Sequence, residues 1–267
     1  MMVVESEAVV LCAQDYGESD RIVTFFSVEW GLVRAMAKGA RRSRKRFVHA
    51  FEPNSVVQVG LRQRRALSWV ESCRLVEGHL ALRSDPLRWA YAGLLVETTL
   101  RLNPENLPNP TYYVLLRSGL ARLGTDRDPA NVAALFLVRA MRILGALPSL
   151  ERCCQCGRTM AEASLWRLSL AAGRFSCGAH SAADKEGIDL DKGAAALLQA
   201  MLQAPVEKIW RFRLRKRAVH GLIKAVCAWV EDHTGQSLKS RRLLHRMETG
   251  PEIPAPSSTS AALVVSP

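Results

Sequence analysis

Two short cysteine motifs in the middle of the chain constrain its fold most strongly. Cys153-Cys154-Gln155-Cys156 is a CxxC motif, and Cys177-Gly178-Ala179-His180 is a CxxH motif that follows after twenty intervening residues. A two-residue spacer lets each pair of ligands hold one metal ion from a tight turn, and the intervening segment is long enough for a hairpin that brings the turns together. The spacing therefore predicts a tetrahedral zinc site made by Cys153, Cys156, Cys177 and His180. Because four protein ligands leave no position for water, this zinc is expected to be structural rather than catalytic.

The other cysteines and the N-terminus indicate the compartment. The seven cysteines are odd in number and scattered from Cys12 to Cys227, which is unlike a disulfide framework and fits a reducing interior. Cys154 is expected to point away from the metal when its neighbours converge on it. Glu5 and Glu7 stand where a signal peptide needs basic residues, and no apolar run reaches the length of about eighteen residues that a membrane span requires. The sequence predicts a cytoplasmic protein with no membrane span.

Positive charge is concentrated in two windows. The net charge is +12, yet the window from Arg34 to Arg74 holds eleven Lys and Arg against two acids, and the window from Lys208 to Arg246 again holds eleven against two. Each window thus carries +9 (eleven minus two), so the remainder of the chain is acidic. Clustered cations suit a polyanion, because each one placed along a phosphate backbone releases condensed counterions. An ordinary solvated surface is the alternative, and the clustering favours nucleic acid.

The first eighty residues have the pattern of a small β-barrel. Short β-favouring runs are separated by turn residues around Gly17, Gly31, Pro53 and Gly60. About five strands in about eighty residues match an OB-fold, and an SH3-like barrel is the alternative with a similar strand count. The runs are Val3-Val4, Val9 to Leu11, Arg21 to Phe26, Leu32 to Ala37, Ser55 to Val59, and Leu67 to Val70.

Beyond Ser84-Asp85-Pro86 the apolar period changes from two to 3.6, which predicts helices. One helix begins at that proline, a second covers Tyr112 to Leu123, and a third runs from Asn131 to Leu147, where Pro148 ends it. The predicted fold class is α+β: an N-terminal OB-fold followed by an α-helical domain with an inserted zinc-ribbon hairpin. The expected boundaries are residues 1–80 for the barrel, 81–248 for the helical domain with the insertion at about 150–182, and 249–267 for a flexible tail.

A loop after the third predicted barrel strand is the strongest candidate for phosphate binding. Between Arg34 and Arg46 it places seven cations in thirteen residues without an acid. Guanidinium groups pair with phosphate oxygens but read no base sequence, so the predicted binding is indifferent to base identity. Phe47 and Phe51 either stack on bases or belong to the core. The candidate DNA-binding residues are Arg34, Lys38, Arg41, Arg42, Arg44, Lys45 and Arg46, together with Arg62, Arg64 and Arg65 on the next turn.

Several of these motifs together resemble the bacterial RecO family of DNA-repair proteins. They are Asp15-Tyr16-Gly17-Glu18-Ser19-Asp20, Lys38-Gly39-Ala40-Arg41-Arg42, Leu144-Gly145-Ala146-Leu147-Pro148 and the two cysteine motifs. The resemblance implies a recombination mediator of the RecF pathway that binds single- and double-stranded DNA and anneals complementary strands. It also implies contacts with RecR and with the acidic C-terminal tail of single-strand-binding protein, and help in loading RecA, which would associate the protein with the nucleoid. His180 departs from the usual four-cysteine ribbon, and imidazole is itself a good zinc ligand.

Within that resemblance, the third predicted helix is a candidate site for the acidic tail. Leu135 and Val138 share a helical face with Arg139 and Arg142, and a mixed apolar and cationic strip suits an acidic peptide that ends in an aromatic residue. Arg139 and Arg142 are therefore the predicted partner-binding residues, with ordinary solvated arginines as the alternative.

The sequence carries no known catalytic motif, so the chain is predicted not to be an enzyme. It has no GxxxxGK[ST], GxSxG or HExxH pattern. Two other classes remain as alternatives. A zinc-containing, sequence-specific transcription regulator would prefer one duplex sequence, and a zinc-dependent nucleic-acid enzyme would consume its substrate.

Overall fold

A five-stranded closed barrel forms the N-terminal part of the chain. The structure is a computed structural model, and it describes residues 3–43, 47, 49–62, 67–181 and 187–249. The strand order is β1-β2-β3-β5-β4, with β4 paired back to β1; β3 and β5 run parallel and the other pairs antiparallel. This order is that of an OB-fold, so the OB prediction is confirmed over the SH3-like alternative. The strands are β1 (Val3–Tyr16), β2 (Asp20–Ser27), β3 (Gly31–Ala37), β4 (Val56–Arg62) and β5 (Ser68–Glu77).

Alternation along the strands gives the barrel its own apolar interior. Val23 and Phe25 of β2 and Ala35 and Ala37 of β3 point inward and are fully buried. The neighbouring residues in each strand therefore face outward. Phe47 and Phe51 close one part of this interior, 6% and 5% exposed, with their ring centroids 4.9 Å apart. Burial leaves neither ring free to stack on a base, so the core interpretation of these two residues is correct.

The helices that follow begin at caps that the sequence makes recognisable. Asp85, Asn109 and Asp128 each precede a proline, and each side chain accepts hydrogen bonds from the first-turn backbone N–H groups of the helix it starts. The helices are α1 (Leu80–Arg83), α2 (Pro86–Leu102), α3 (Pro110–Thr125), α4 (Pro129–Ile143), α5 (Lys192–Gln203), α6 (Lys216–Thr234) and α7 (Lys239–Thr249). Short 3-10 helices cover Met160–Glu162, Gly178–His180 and Val206–Arg211.

A small antiparallel sheet interrupts the helices between α4 and α5. Its strands are β6 (Leu165–Ser169), β7 (Arg174–Cys177) and β8 (Ile188–Asp191), with β6 in the centre. Trp166 is fully buried and stacks on Phe175 with a centroid separation of 4.7 Å. This stack joins the inserted sheet to the same apolar core as the helices. The mixed α+β fold with an inserted ribbon is thus the one that the sequence predicts.

The barrel and the helices share a continuous interface. Outward-facing barrel residues, among them Val9 and Phe26, belong to the helical core, and the Phe26 ring lies 5.4 Å from that of Tyr112. Polar contacts add to this, because the Tyr113 hydroxyl donates to Glu7 Oε1 at 2.8 Å and Arg117 Nε lies 3.3 Å from the same oxygen. The barrel is therefore seated on α3 by both apolar and ionic contacts.

Helix α4 is shorter than the sequence predicts. Helix α4 ends at Ile143 and not at Leu147, because Gly145 adopts a left-handed conformation (φ +73°) and ends the helix before Pro148 is reached. The predicted flexible tail lies outside the described residues except for Thr249. Among the described helices, none combines the length and the apolar character that crossing a bilayer requires.

Candidate metal centre and nucleic-acid interface

The two cysteine motifs converge into one cluster, as the sequence predicts. Ligand atoms of Cys153, Cys156, Cys177 and His180 all lie within 4.8 Å of one another. Cys156 Sγ lies 3.8 Å from Cys177 Sγ, and His180 Nδ1 lies 3.4 Å from the same Cys177 sulfur. A tetrahedron with Zn–S bonds of about 2.3 Å has S–S edges of about 3.8 Å, so the cluster has the size of a zinc site. Cys154 is exposed and is not part of the cluster.

Backbone hydrogen bonds shape the first knuckle. The Gly157 N–H donates to Cys153 O at 3.0 Å, and Gly157 takes φ +71°, a conformation that most side chains disfavour. The Cys154 N–H donates to Phe175 O at 2.9 Å and fastens this turn to β7. The second knuckle follows β7 directly, since Cys177 ends that strand. Main-chain hydrogen bonds thus shape the first knuckle and place it beside the end of β7, where the second ligand pair begins.

The surroundings of Cys153 favour its thiolate. Burial raises the pKa of this thiol, but backbone N–H groups of both knuckles point at the sulfur, and together they lower the pKa to about 6. A thiolate is the form that binds a metal. The donor set therefore fits a soft, tetrahedral cation such as zinc, and no ligand position is left for a substrate.

The loop after β3 is tied to the turn between β1 and β2. The Gly39 N–H donates to Asp20 Oδ1 at 2.8 Å, and the Arg41 N–H donates to Ser19 O at 3.0 Å. Arg41 also reaches across, with Nη1 donating to Gly17 O at 2.8 Å and Nε 3.3 Å from Asp15 Oδ2. The acidic turn therefore orders residues 39–41 of the basic loop, and Lys38, Arg41 and Arg42 remain exposed.

The individual candidate cations of this surface have different roles. Arg34 pairs with Glu105 at 2.8 Å, which connects β3 to the loop between α2 and α3, and its side chain remains 60% exposed. Arg42 is open to solvent, with 75% of its side chain exposed and Glu18 as a distant partner at 3.9 Å. Arg62 Nε lies 2.9 Å from Glu71 Oε1. Five further candidates lie outside the described residues: Arg44, Lys45, Arg46, Arg64 and Arg65.

An aromatic residue that sequence reasoning missed lies beside this loop. The Lys38 ammonium is 3.8 Å from the centroid of the Trp69 ring. Trp69 pairs in register with Met36 on β3 and with Arg62 on β4, and Met36 pairs with Ile22 on β2. Ile22, Met36 and Trp69 are half-buried and belong to neither apolar core of the described chain. The sequence did carry a signal for this position. Trp69 alternates with Val70 in β5, and because Val70 faces inward, Trp69 must face outward.

The second basic window divides into paired and unpaired cations. Three arginines are engaged with acids: Arg213 with Asp126, Arg215 with Asp191, and Arg241 with Glu231. Arg217 and Lys224 of α6 are exposed, share one helical face and form no ion pair with any described residue. This face of α6 is a second cationic surface on the helical part.

The two arginines of α4 occupy different environments. Arg139 donates to Leu202 O and, at 3.0 Å, to Ala204 O, so its guanidinium binds the last carbonyls of α5. Burial, helped by the nearby Arg142, lowers its pKa. Leu135 and Val138 are fully buried, and the expected apolar strip is therefore not a surface. Arg142 alone of the four residues is exposed.

The fold and the cysteine cluster define an OB-fold protein whose helical part carries a metal-binding ribbon. Comparison with known proteins identifies the family to which this chain belongs. The family model for the N-terminal part of recombination protein O matches residues 1–79, and the model for its C-terminal part matches residues 83–242. The chain therefore belongs to the RecO family of DNA repair proteins.

Curated relatives match over nearly their whole length. The DNA repair protein RecO of Syntrophobacter fumaroxidans is 37% identical over 92% of this chain and 98% of its own. The RecO of Anaeromyxobacter dehalogenans strain 2CP-C is 34% identical over 93% of this chain and 97% of its own. The RecO of Exiguobacterium sibiricum is 28% identical over 92% of this chain and 98% of its own. The likeness thus includes both the barrel and the helical part.

Proposed function

We propose that this protein is a recombination mediator that binds single- and double-stranded DNA without reading its sequence and anneals complementary strands. The observation that carries the proposal is the contact between Lys38 and Trp69 on the outer face of the OB barrel. A cation beside an aromatic ring offers contacts to the phosphate and the base of one nucleotide, whichever base it is. Membership of a DNA repair family supports the same function.

Annealing requires no bond chemistry, only a reduction of the repulsion between two phosphate backbones. One DNA strand is proposed to bind the cations between Lys38 and Arg46, together with Arg62, Arg64 and Arg65. Arg34 is proposed to anchor β3, which leads into this loop, to the helical part. The exposed cations of α6, Arg217 and Lys224, are proposed to screen the second. Counterion release then favours the ternary complex at low salt.

The metal is proposed to be zinc with a structural role. Cys153, Cys156, Cys177 and His180 would hold it, and the bound ion would join the two knuckles of the ribbon. Zinc supplies no reaction step here, because all four positions belong to protein ligands. The proposal places the protein in a reducing compartment, the bacterial cytoplasm, where thiolates remain available.

The protein partners are proposed from the family: RecR, the C-terminal tail of single-strand-binding protein and, indirectly, RecA. For the acidic tail, Arg142 is the proposed contact, and Arg139 supports it by holding α5 against α4. Arg142→Glu is expected to weaken binding of a labelled tail peptide about tenfold. Arg142→Lys, which keeps the charge, is the matched control. Unchanged affinity in Arg142→Glu would remove Arg142 from the tail site.

The direct test of the function is an annealing assay with two complementary oligonucleotides. Lys38→Glu/Arg42→Glu is expected to slow annealing by at least about tenfold, because both cations are exposed and their reversal repels phosphate. Arg174→Glu, an exposed cation on β7 of the ribbon, is the control and is expected to anneal normally. Equal annealing by all three proteins would contradict the proposal. Preference for one duplex sequence would instead favour a transcription regulator.

A further inference from the structure

The three cysteines of the metal cluster differ in their access to solvent. Cys153 and Cys177 are buried, 3% and 1% exposed, whereas Cys156 is exposed. Oxidation of a cysteine by a small reagent follows the exposure of its thiolate. An oxidant that approaches the ribbon therefore meets Cys156 before it meets either of the other two cysteines.

The sulfur of Cys156 lies close to a sulfur of the other knuckle. Cys156 Sγ and Cys177 Sγ are 3.8 Å apart, and a disulfide bond of about 2.05 Å requires them to approach by about 1.8 Å. Cys177 is the last residue of β7, a strand that is fixed to the core by the stack of Phe175 on the fully buried Trp166. The first knuckle thus supplies an accessible sulfur, and the second supplies a buried one at short distance from it.

We infer, on the basis of the structural zinc proposed above, that Cys156 and Cys177 are a modification site which hydrogen peroxide converts to a disulfide, with loss of the zinc ion. In the first step the Cys156 thiolate attacks the peroxide: an S–O bond forms, the O–O bond breaks, and the departing hydroxide takes up a proton to become water. In the second step the Cys177 thiolate attacks the Cys156 sulfur: the S–S bond forms, the S–O bond breaks, and the second hydroxide is protonated to water. The two sulfurs supply the two electrons that reduce the peroxide, and zinc itself undergoes no redox change.

This disulfide removes the metal but keeps the ribbon together. Only Cys153 and His180 remain as ligands after oxidation, which is too few for a tetrahedral zinc site. Because Cys156 and Cys177 belong to different knuckles, the new bond joins the two knuckles as the metal does, and it closes a loop of twenty intervening residues. A disulfide between Cys153 and Cys156 would lie within one knuckle and could not replace the metal in this way. The oxidised ribbon is therefore expected to stay folded and to recover its metal when a thiol reduces it.

The test follows zinc and disulfide together in the full-length protein. The zinc content of the reduced protein is measured first, by inductively coupled plasma mass spectrometry. Hydrogen peroxide is then added in the presence of the chromogenic zinc chelator 4-(2-pyridylazo)resorcinol, and release of about one zinc ion per chain is expected. Digestion without reduction, followed by peptide mass mapping, is expected to find Cys156 joined to Cys177. Dithiothreitol followed by added zinc is expected to restore the starting zinc content.

Two variants identify the reacting pair. Cys154 is exposed but lies outside the cluster, so Cys154→Ser is the matched control and is expected to release zinc at the wild-type rate. Cys153→Ser keeps both reacting cysteines and is expected to form the Cys156–Cys177 disulfide under peroxide, although its metal site has lost a ligand. Thermal melting followed by circular dichroism separates cross-linking from simple loss of metal. Oxidised wild type is expected to melt at a higher temperature than Cys177→Ser, which has neither the metal nor the cross-link.

The outcomes distinguish failure of the metal proposal from failure of the oxidation site. Reduced protein that contains no zinc would overturn both. Zinc that is present but retained under peroxide would overturn the oxidation site alone and leave the structural metal in place. A disulfide between Cys153 and Cys156, or slower zinc release from Cys154→Ser, would also overturn the assignment, because the thiol that reacts with Cys156 would then not be Cys177.

Discussion

The Asp20 carboxylate accepts a hydrogen bond from the backbone N–H of Gly39 at 2.8 Å. This bond joins the turn between β1 and β2 to the basic loop after β3, nineteen residues further along the chain. Gly39 adopts φ +68°, and its N–H is directed at the carboxylate from a turn that a β-branched residue would strain. Two of the motifs that carry the family resemblance, residues 15–20 and residues 38–42, are therefore in direct contact.

The first prediction concerns the pH dependence of this bond. The pKa of Asp20 lies below its ordinary value of 3.8. The hydrogen bond from the Gly39 N–H is the largest cause, the Ser19 hydroxyl is the second, and the charge of Lys38 adds a smaller effect. Because the folded pKa is depressed, the bond stabilises the loop above the unfolded pKa and is lost as pH falls through the folded pKa. The amide resonance of Gly39, followed by NMR, is expected to titrate with a midpoint below 3.8.

Asp20→Ala supplies the control for this titration. The variant is expected to lose the low-pH transition at Gly39 and to show a loop amide that exchanges faster with solvent at neutral pH. A Gly39 midpoint at or above 3.8 in the wild type would show that the carboxylate is not held by this bond.

The second prediction separates the binding and positioning roles of two neighbouring arginines. Arg42 is 75% exposed in its side chain, so Arg42→Ala is expected to lower the slope of log affinity against log salt by about one unit for DNA. Arg41→Ala is expected to lower affinity further, because the loop also loses its contacts with Gly17 and Asp15. Oligonucleotide binding between low and moderate salt measures both. A larger loss from Arg42→Ala than from Arg41→Ala would contradict these roles.

Much of the fold was predictable because its signals are local. Alternating apolar residues mark the barrel strands, and the Asx-Pro pairs at Asp85, Asn109 and Asp128 mark helix starts. The metal cluster was predictable for a similar reason, since both ligand pairs lie in tight turns with fixed spacing. In each case a few adjacent residues determine the geometry.

The rest depends on contacts between residues far apart in the chain. Arg139 looks like a surface cation in the sequence, and only the approach of α5, more than sixty residues later, provides the carbonyls that bind it. Trp69 gains its significance from strand register, which places it beside Met36 and under Lys38. Neither the approach of a helix nor the register of a strand can be derived from local pattern.

The third prediction tests Trp69 as a base-stacking residue. Trp69→Ala is expected to weaken single-strand binding by about 1–3 kcal/mol, because stacking on one base is lost. Duplex binding should change less, since paired bases are already stacked. Trp69→Phe keeps an aromatic face and is expected to retain most of the affinity. Equal losses for single strands and duplex would argue for a general effect on the barrel instead.

The fourth prediction concerns the metal. Purified protein is expected to contain about one zinc ion per chain, as measured by inductively coupled plasma mass spectrometry. Cys177→Ser should lose the metal and lower the melting temperature, since structural zinc contributes to folding. Cys154 lies outside the cluster, so Cys154→Ser should keep both the metal and the wild-type melting temperature. If both variants kept the metal, the assigned ligand set would be wrong.

The fifth prediction concerns the junction of barrel and helices at Gly31. A Cβ at this position would lie 2.0 Å from Leu107 O, and Gly31 also takes φ +63°. Gly31→Ala is expected to destabilise the fold by about 3 kcal/mol or more. Gly17 also has a positive φ (+58°), but a Cβ there would meet no atom within 4 Å. Gly17→Ala therefore measures the cost of the left-handed backbone alone, and it is expected to lower the free energy of unfolding by about 1 kcal/mol. Equal losses of unfolding free energy would mean that the loop at Leu107 moves aside at little cost.

The account as a whole is tested most directly by DNA binding as a function of salt. Fluorescence anisotropy would compare two single-stranded oligonucleotides of equal length and unrelated sequence. Cationic binding that does not read bases predicts the same affinity for both and a steep, linear fall of log affinity with log salt. Affinity that differs strongly between the two sequences, or that persists unchanged in concentrated salt, would contradict it.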